Sequence, residues 1–254
     1  MCFSVEVEKE LKKLAYQFKA KKSKEDFDHF YELKAHEKDG EWLKQQLGLK
    51  RKPASSPFKE ADPEGRIFPG TFTTVIVEED GERLLKPMRY RLRPYKSKEE
   101  IPTKFNVYNA RFDSLESRQT WRRLFMKKHG LFPFKRFFEW VDYKGARRLI
   151  KFSPENHELM WAPCLWDYWE SKDGSLGFYS FALVTDDPPW EIQNMGHDRC
   201  PIFLKEECIG DWLSPAGKSK HEIKQLLKQK EDVRYRYEWV EPETETRQTS
   251  FSLN

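Results

Sequence analysis

Hydrophobic residues in the first fifty positions recur at helical spacing within a background rich in lysine and glutamate. Leu11, Leu14 and Phe18 are separated by three and four residues, and similar spacings recur up to Gly48. Such spacing places apolar side chains on one face of a helix. We therefore predict amphipathic helices within residues 7–49, the last of which ends near Gly48.

The pattern becomes strand-like after about residue 66. In TFTTVIVEEDGERLLKPMRYRL, two β-branched or apolar runs flank EEDGE, which is typical of a hairpin. Further strand-like runs are RRLIKFS, HELMWAPCLWDYW, GFYSFALVT and CPIFL, and helical patterns occur in SLESRQTWRRLFMKKHG and KSKHEIKQLLKQKEDV. Because crossover helices do not alternate with the strands, we predict a single α+β domain with a mostly antiparallel sheet.

The composition is that of a folded protein with a strongly polar surface. Charged residues make up 35% of the 254 residues and aromatic residues 15%, so many rings must pack together while the surface stays charged. The formal net charge of +4 is too small to indicate a nucleic-acid partner by itself. We therefore expect any basic groove to come from local clustering.

Cysteine usage and hydropathy bear on the compartment. The four cysteines form no C-x-x-C pair and show no zinc-type spacing with histidine, so we predict no metal, no cofactor and no disulfide framework. No segment approaches the roughly 20 apolar residues of a membrane span, and charges arrive too early for a signal peptide. These features favour the cytoplasm with its nucleoid, or the nucleus if the organism has one.

Two segments pair an arginine with a residue suited to chemistry. In YNARFDS, Asn109 and Arg111 share a face if the segment is a strand, and these side chains can hold a sugar hydroxyl and a phosphate. In NMGHDRCPIFL, His197 suits proton transfer near neutral pH, and Arg199 offers a second phosphate contact. Spacing alone favours a turn asparagine, a surface arginine and a structural histidine, so both interpretations stay open at this point.

Glu139 and Cys2 each have both a structural and a catalytic interpretation. Glu139 lies inside the aromatic run RFFEWVD, where alternation favours the solvent-facing side of a strand. Burial in a pocket would instead raise the carboxyl pKa toward a value useful for acid–base catalysis. Cys2 would carry a free α-amine beside its thiol if Met1 were removed, a pair of nucleophiles that no internal cysteine offers. The alternative is an ordinary second residue.

Five motifs occur in the same order as in a known family. They are the initial MC, NAR, the FFEW segment, an apolar strand ending in LWDYW, and HDRCP followed by an apolar strand. With them the chain resembles the SOS-response-associated peptidase family, whose members include a sensor and shield of abasic sites in single-stranded DNA. The resemblance implies a domain at residues 1–215, helices added at about residues 7–56, and a C-terminal helix and polar tail at residues 216–254.

The resemblance also implies roles for individual residues. Cys2 would be the nucleophile, Asn109 would hold the reacting sugar or the cysteine terminus, and Glu139 and His197 would transfer protons. The implied DNA contacts, which include a proline that props open the strand beside the lesion, are Pro69, Tyr90, Tyr95, Arg111, Thr185 and Arg199. The chain departs from the family at Phe3-Ser4, at Tyr90-Arg91, and at Tyr95, Lys96 and Ser97, where the family commonly has Gly-Arg, Trp-Gly and wedge tryptophans.

The implied activity is covalent capture of abasic sites. After autocatalytic removal of Met1, Cys2 would form a thiazolidine with a ring-opened abasic site in single-stranded DNA and shield it. We expect a monomer with this DNA as its partner and no membrane association. Two alternatives remain open: a cysteine peptidase or amidase with an N-terminal nucleophile, and a single-stranded DNA-binding module without chemistry.

Overall fold

The early helices form where the apolar spacing predicts them. The computed structural model describes residues 4–240. Three helices precede the first long strand: α1, Leu11–Phe18; α2, Lys24–Ala35; and α3, Gly40–Leu47. Gly48 ends α3 with a φ of 66°, a left-handed conformation that glycine adopts without the steric penalty of a Cβ atom.

The strands are distributed between two sheets. In chain order they are β1, Ser4–Glu6; β2, Lys21–Lys22; β3, Arg66–Ile67; β4, Phe72–Glu79; β5, Glu82–Tyr90; β6, Asn109–Arg111; β7, His129–Phe134; β8, Arg136–Tyr143; β9, Ala146–Pro154; β10, Met160–Glu170; β11, Gly177–Asp186; β12, Cys200–Pro201; and β13, Tyr235–Trp239. The later helices are α4, Gln119–Arg122; α5, Trp190–Asn194; α6, Ile209–Leu213; and α7, Lys220–Lys228. The predicted hairpin is confirmed by β4 and β5.

The larger sheet closes into a barrel. Antiparallel pairings run from β5 through β4, β7 and β10 to β11, and β11 then pairs with β5 in parallel, with Phe181 opposite Tyr90. Closure removes the exposed edges that an open sheet would present. The short strand β6 also runs parallel to β11 and places Arg111 opposite Thr185. The predicted α+β fold with mostly antiparallel pairing is confirmed.

The smaller sheet holds the first described residues in its interior. Its strand order is β13-β9-β8-β1-β3, so β1 has a partner on each side. Ser4 lies opposite Phe138 of β8, and Val5 lies opposite Phe137 of β8 and Ile67 of β3. Val5 and Ile67 are fully buried, which explains why so short a strand is held firmly in place.

Two predicted elements are shorter than the sequence indicates. The helix expected over SLESRQTWRRLFMKKHG is reduced to α4, and its last two residues already belong to β7. The segment winds into successive turns because these turns bury Trp121, Leu124 and Phe125 together. The strand expected over CPIFL is confined to β12. Within residues 4–240, no helix has the length and apolar character needed to span a membrane.

Candidate active site

Strand β8 places Glu139 on the buried side of the smaller sheet. Phe137 and Val141 lie on the same side as Glu139, whereas Trp140 and Asp142 are exposed. The Glu139 side chain is only 1% exposed. Alternation is therefore present in β8, but the expectation from it that Glu139 faces solvent is wrong.

His197 covers Glu139 and holds a proton against it. Its Nε2 atom lies 3.0 Å from Oε2 of Glu139, and its Nδ1 atom lies 2.7 Å from the carbonyl oxygen of Arg199. The carbonyl contact requires a hydrogen on Nδ1, because a carbonyl oxygen only accepts. It is much shorter than the competing contact at 3.4 Å between the backbone N–H of Arg199 and Nδ1, so we assign the hydrogen to Nδ1. Nε2 then either accepts the proton of a neutral Glu139 or donates its own to the carboxylate, so one proton lies between the two side chains.

Burial also changes how readily Glu139 ionises. Loss of water around the carboxyl raises its pKa, and the hydrogen bond with His197 opposes this rise. A carboxyl group with these two influences is able to release and recover a proton closer to neutral pH than a surface glutamate. This is the behaviour that general acid–base catalysis needs.

Two arginines lie beside this pair and are joined by carboxylates. Arg111 donates from Nε and Nη2 to the two oxygens of Asp113 at 3.1 and 2.5 Å. Arg199 forms an ion pair with Asp187, and its Nη2 lies 3.7 Å from Oδ2 of Asp113. We refer to Arg111, Asp113, Asp187 and Arg199 as the arginine cluster. Its hydrogen bonds lower the pKa of Asp113 and raise that of Arg111.

The segments that carry Arg111, Thr185 and Arg199 meet at the end of β11. Thr185 of β11 has Arg111 of β6 on one side and Pro201 of β12 on the other, and β12 follows directly after Arg199. Contacts then run without a break from Glu139 through His197, Arg199 and Asp113 to Arg111.

Sequence comparison identifies the family that shares these motifs. The family model described as "SOS response associated peptidase (SRAP)" matches residues 1–246. The chain belongs to the SRAP family. Its resemblance to this family, inferred from five short motifs, is therefore confirmed.

Relatives of this SRAP protein carry names that refer to damaged DNA. The Bacillus subtilis protein named "Abasic site processing protein YobE" is 24% identical over 172 residues, covering 67% of this chain and 77% of YobE. The Gallus gallus protein named "Abasic site processing protein HMCES" is 24% identical over 178 residues, covering 62% of this chain and 53% of HMCES. A solved structure of a Bacteroides thetaiotaomicron protein, 17% identical, shares the fold with a TM-score of 0.68 over 94% of this chain and 92% of that one.

Asn109 and Tyr90 of the SRAP protein are coupled inside the barrel. Asn109 is 5% exposed at the start of β6, and the Tyr90 hydroxyl lies 3.4 Å from its Oδ1. The Tyr90 ring is fully buried and stacks against Phe132 and Phe181. The Tyr90 ring is thus packed, and its hydroxyl faces Asn109. A contact of Tyr90 with DNA stays a prediction.

The remaining expected DNA contacts are only partly brought together. Thr185 is 1% exposed, and its hydroxyl has no hydrogen-bond partner among the described residues. Tyr95 is 48% exposed, but its backbone N–H donates to Asp167, which pairs with Ser180. Ser180 lies five residues before Thr185 on β11, about 17 Å along a strand. Tyr95 thus lies apart from the arginine cluster, and Cys2 lies outside the described residues.

Two exposed aromatic side chains on the smaller sheet or directly after one of its strands were not singled out from the sequence. Phe68 and Trp140 are 39% and 38% exposed, and the Arg66 guanidinium lies 4.1 Å from the centre of the Phe138 ring. Phe68 directly precedes the half-buried Pro69 in IFPG. The sequence could have indicated these two residues, because Phe68 adjoins Pro69 and Trp140 adjoins Glu139. No group of three or more His, Cys, Asp or Glu within residues 4–240 is arranged to hold a metal ion.

Proposed function

We propose that this SRAP protein recognises abasic sites in single-stranded DNA and, after loss of Met1, crosslinks to them through Cys2. The observation that carries the proposal is the pairing of Ser4 with Phe138, which ties the start of the chain to the strand that bears Glu139. Two residues of extended chain span at most about 7 Å, and this short connection from Ser4 is the reason for proposing that a nucleophile at residue 2 works with the Glu139–His197 pair. The names of YobE and HMCES support the same class of substrate.

The proposed reaction uses both nucleophiles of a terminal cysteine. An α-amine with a pKa of about 8 keeps a useful neutral fraction at pH 7, unlike lysine at about 10.4. This amine adds to the aldehyde of the ring-opened sugar, and the carbinolamine loses water to give a Schiff base. The thiol then adds to the imine carbon while its proton passes to the imine nitrogen, which closes a thiazolidine ring in an intramolecular step.

The Glu139–His197 pair supplies the protons for these steps. Opening the sugar ring requires an acid at the ring oxygen, and loss of water from the carbinolamine requires an acid at the departing hydroxyl. The single proton shared between Nε2 and Oε2 is available for both steps, and the pair recovers it when the amine and thiol lose theirs. The buried Asn109 amide holds a sugar hydroxyl or the cysteine terminus during the reaction.

DNA affinity comes from the phosphates and bases that flank the lesion. A missing base leaves nothing to read at the site itself, so Arg111 and Arg199 bind flanking phosphates, with Thr185 as a lesser contact. Pro69 lies against the strand beside the lesion, and the exposed ring of Tyr95 stacks on a base further along. Because phosphate contacts release counterions, we expect the affinity to fall as salt rises.

The deciding measurement is the intact mass of the protein before and after incubation with a single-stranded oligonucleotide that contains one abasic site. We expect a chain that lacks Met1 and gains the oligonucleotide mass minus one water. Cys2→Ala should gain nothing, and an undamaged oligonucleotide should add no mass to either protein. A processed wild-type chain without the added mass would contradict the proposal.

A cysteine peptidase with an N-terminal nucleophile is the second candidate, favoured by the same buried acid–base pair and by the family description. In this case the α-amine would act as the base for the Cys2 thiol. The two functions differ in stoichiometry, since a peptidase releases many products per chain and the crosslinking protein forms one adduct. Product counting with a peptide or amide substrate therefore separates them.

A further inference from the structure

Asp187 covers the side of Arg199 that faces solvent. The Arg199 side chain is 13% exposed, whereas that of Asp187 is 82% exposed, and the two form an ion pair through Nη1. Nη2 faces Asp113, whose side chain is 55% exposed, at 3.7 Å, and Nε is buried with no hydrogen-bond partner among the described residues. A ligand that binds Nη1 must therefore take the place of the Asp187 carboxylate.

The charges around the two arginines are already compensated by protein. The carboxylates of Asp113, Asp187 and Asp198 all act on Arg111 and raise its pKa. Arg118 also acts on Asp113 and lowers its pKa. Three guanidinium groups thus face three carboxylates, and the local charge is zero when all six side chains are ionised. A DNA phosphate approaching this place meets a neutralised cluster unless a carboxylate moves away.

The two carboxylates that contact Arg199 differ in how firmly they are held. Asp113 receives two parallel hydrogen bonds from Arg111, an arrangement that is both strong and directional. Among residues 4–240, Asp187 has one ion-pair partner, and its side chain is more exposed than that of Asp113, 82% against 55%. The more exposed an ion pair is, the weaker it is. Asp187 is therefore the carboxylate that a phosphate displaces, while Asp113 keeps the two arginines in register.

We propose that Asp187 is a built-in competitor of DNA phosphate, which holds Arg199 in position without DNA and sets the affinity and salt dependence of DNA binding. This inference rests on the proposed function, because it assigns a phosphate to Arg199. It identifies Asp187 as an affinity-determining residue for single-stranded DNA that was not among the expected contacts.

The inference has a distinct salt signature. When a phosphate replaces Asp187, the released carboxylate takes up a cation from solution and offsets part of the counterion release from DNA. Asp187→Asn removes this offset and also the repulsion between carboxylate and phosphate. We expect a three- to tenfold gain in affinity at about 50 mM salt, a steeper salt dependence by up to about one unit of log–log slope, and a smaller gain at about 200 mM.

The test is equilibrium binding of a fluorescent single-stranded oligonucleotide without abasic sites, which removes the covalent step. Asp187→Glu keeps the negative charge and should bind the oligonucleotide like the wild type. Asp80→Asn is the matched charge control: β5 and β11 run parallel, so the β4–β5 turn lies at the end of the barrel where β11 begins, far from Asp187. Asp80 has a φ of 50°, which asparagine also tolerates.

The outcomes separate this inference from the proposed function. A salt-sensitive gain for Asp187→Asn that exceeds the effect of Asp80→Asn supports it. Equal effects of the two variants, or weaker binding by Asp187→Asn, overturn it while DNA binding by the wild type stands. Absence of binding by every variant, including the wild type, overturns the proposed function and this inference with it.

Discussion

Replacing Glu139 with glutamine tests whether the buried proton takes part in the chemistry. The amide has the shape of the carboxyl group, and its NH2 can donate to Nε2 of His197 while Nδ1 keeps its hydrogen on the Arg199 carbonyl. The substitution therefore preserves the geometry of the pair. It removes only the ability of residue 139 to exchange a proton.

The expected effect follows from the burial of this carboxyl. A positioned general acid contributes about 10²- to 10⁴-fold to rate, which corresponds to about 2.7 to 5.4 kcal/mol of activation free energy. Because the Glu139 side chain is 1% exposed, bulk water has little access to replace it as a proton donor. We therefore expect crosslinking by Glu139→Gln to be about 10³-fold slower or more.

Single-turnover crosslinking, followed on denaturing gels with protein in excess over an abasic oligonucleotide, measures this rate constant. Glu238→Gln on β13 is the matched control, because Glu238 is 61% exposed and pairs with Lys151; it should crosslink at the wild-type rate. Binding to undamaged DNA should not change in either variant. A Glu139→Gln rate within threefold of wild type would refute the reasoning.

Three further predictions concern stability. Burial raises the pKa of Glu139, so the contribution of this residue to folding stability is complete below the unfolded pKa of about 4.5 and is lost as pH rises through the folded pKa. The difference in Tm between Glu139→Gln and wild type should therefore increase with pH. A difference that stays constant with pH would contradict this. Burial lowers the pKa of His129 from 6.5 to about 4. The free energy of unfolding should therefore fall by about 2 to 3 kcal/mol as pH drops through that range. Urea unfolding of His129→Gln should show a free energy that changes less with pH than that of the wild type. A Cβ at Gly130 would lie 2.9 Å from Sγ of Cys164 and 3.0 Å from Cγ1 of Val75. Gly130→Ala should therefore lower the free energy of unfolding by about 1 to 3 kcal/mol, and by less in a Cys164→Ala background. Strictly additive losses in the double variant would argue against this clash.

Local patterns in the sequence predict the elements that depend on neighbouring residues. The helices before Gly48 follow from apolar spacing, and the β4–β5 hairpin follows from its turn. Asp80 and Gly81 have φ values of 50° and 79°, the left-handed pair that a two-residue hairpin loop needs. These features require no knowledge of distant parts of the chain.

The phase of β8 and the closure of the barrel depend on distant residues. Glu139 shares its face of β8 with the buried Phe137 and Val141, but its polar partner His197 lies on a loop far along the chain. Tyr90 looks like an available aromatic residue until the parallel pairing of β5 with β11 places it opposite Phe181. Three of the five motifs contain residues that the contacts connect: FFEW contains Glu139, NAR contains Arg111, and HDRCP contains His197 and Arg199.

The interior position of β1 has a consequence for the order of events during synthesis. Ser4 leaves the ribosome early, but its partner Phe138 follows 134 residues later. At about 5 to 20 residues per second, β8 emerges about 7 to 27 s after β1. Throughout this interval the smaller sheet cannot assemble around β1. The enclosure of β1 between β3 and β8 thus waits for a time that is fixed by the distance between two strands in the sequence.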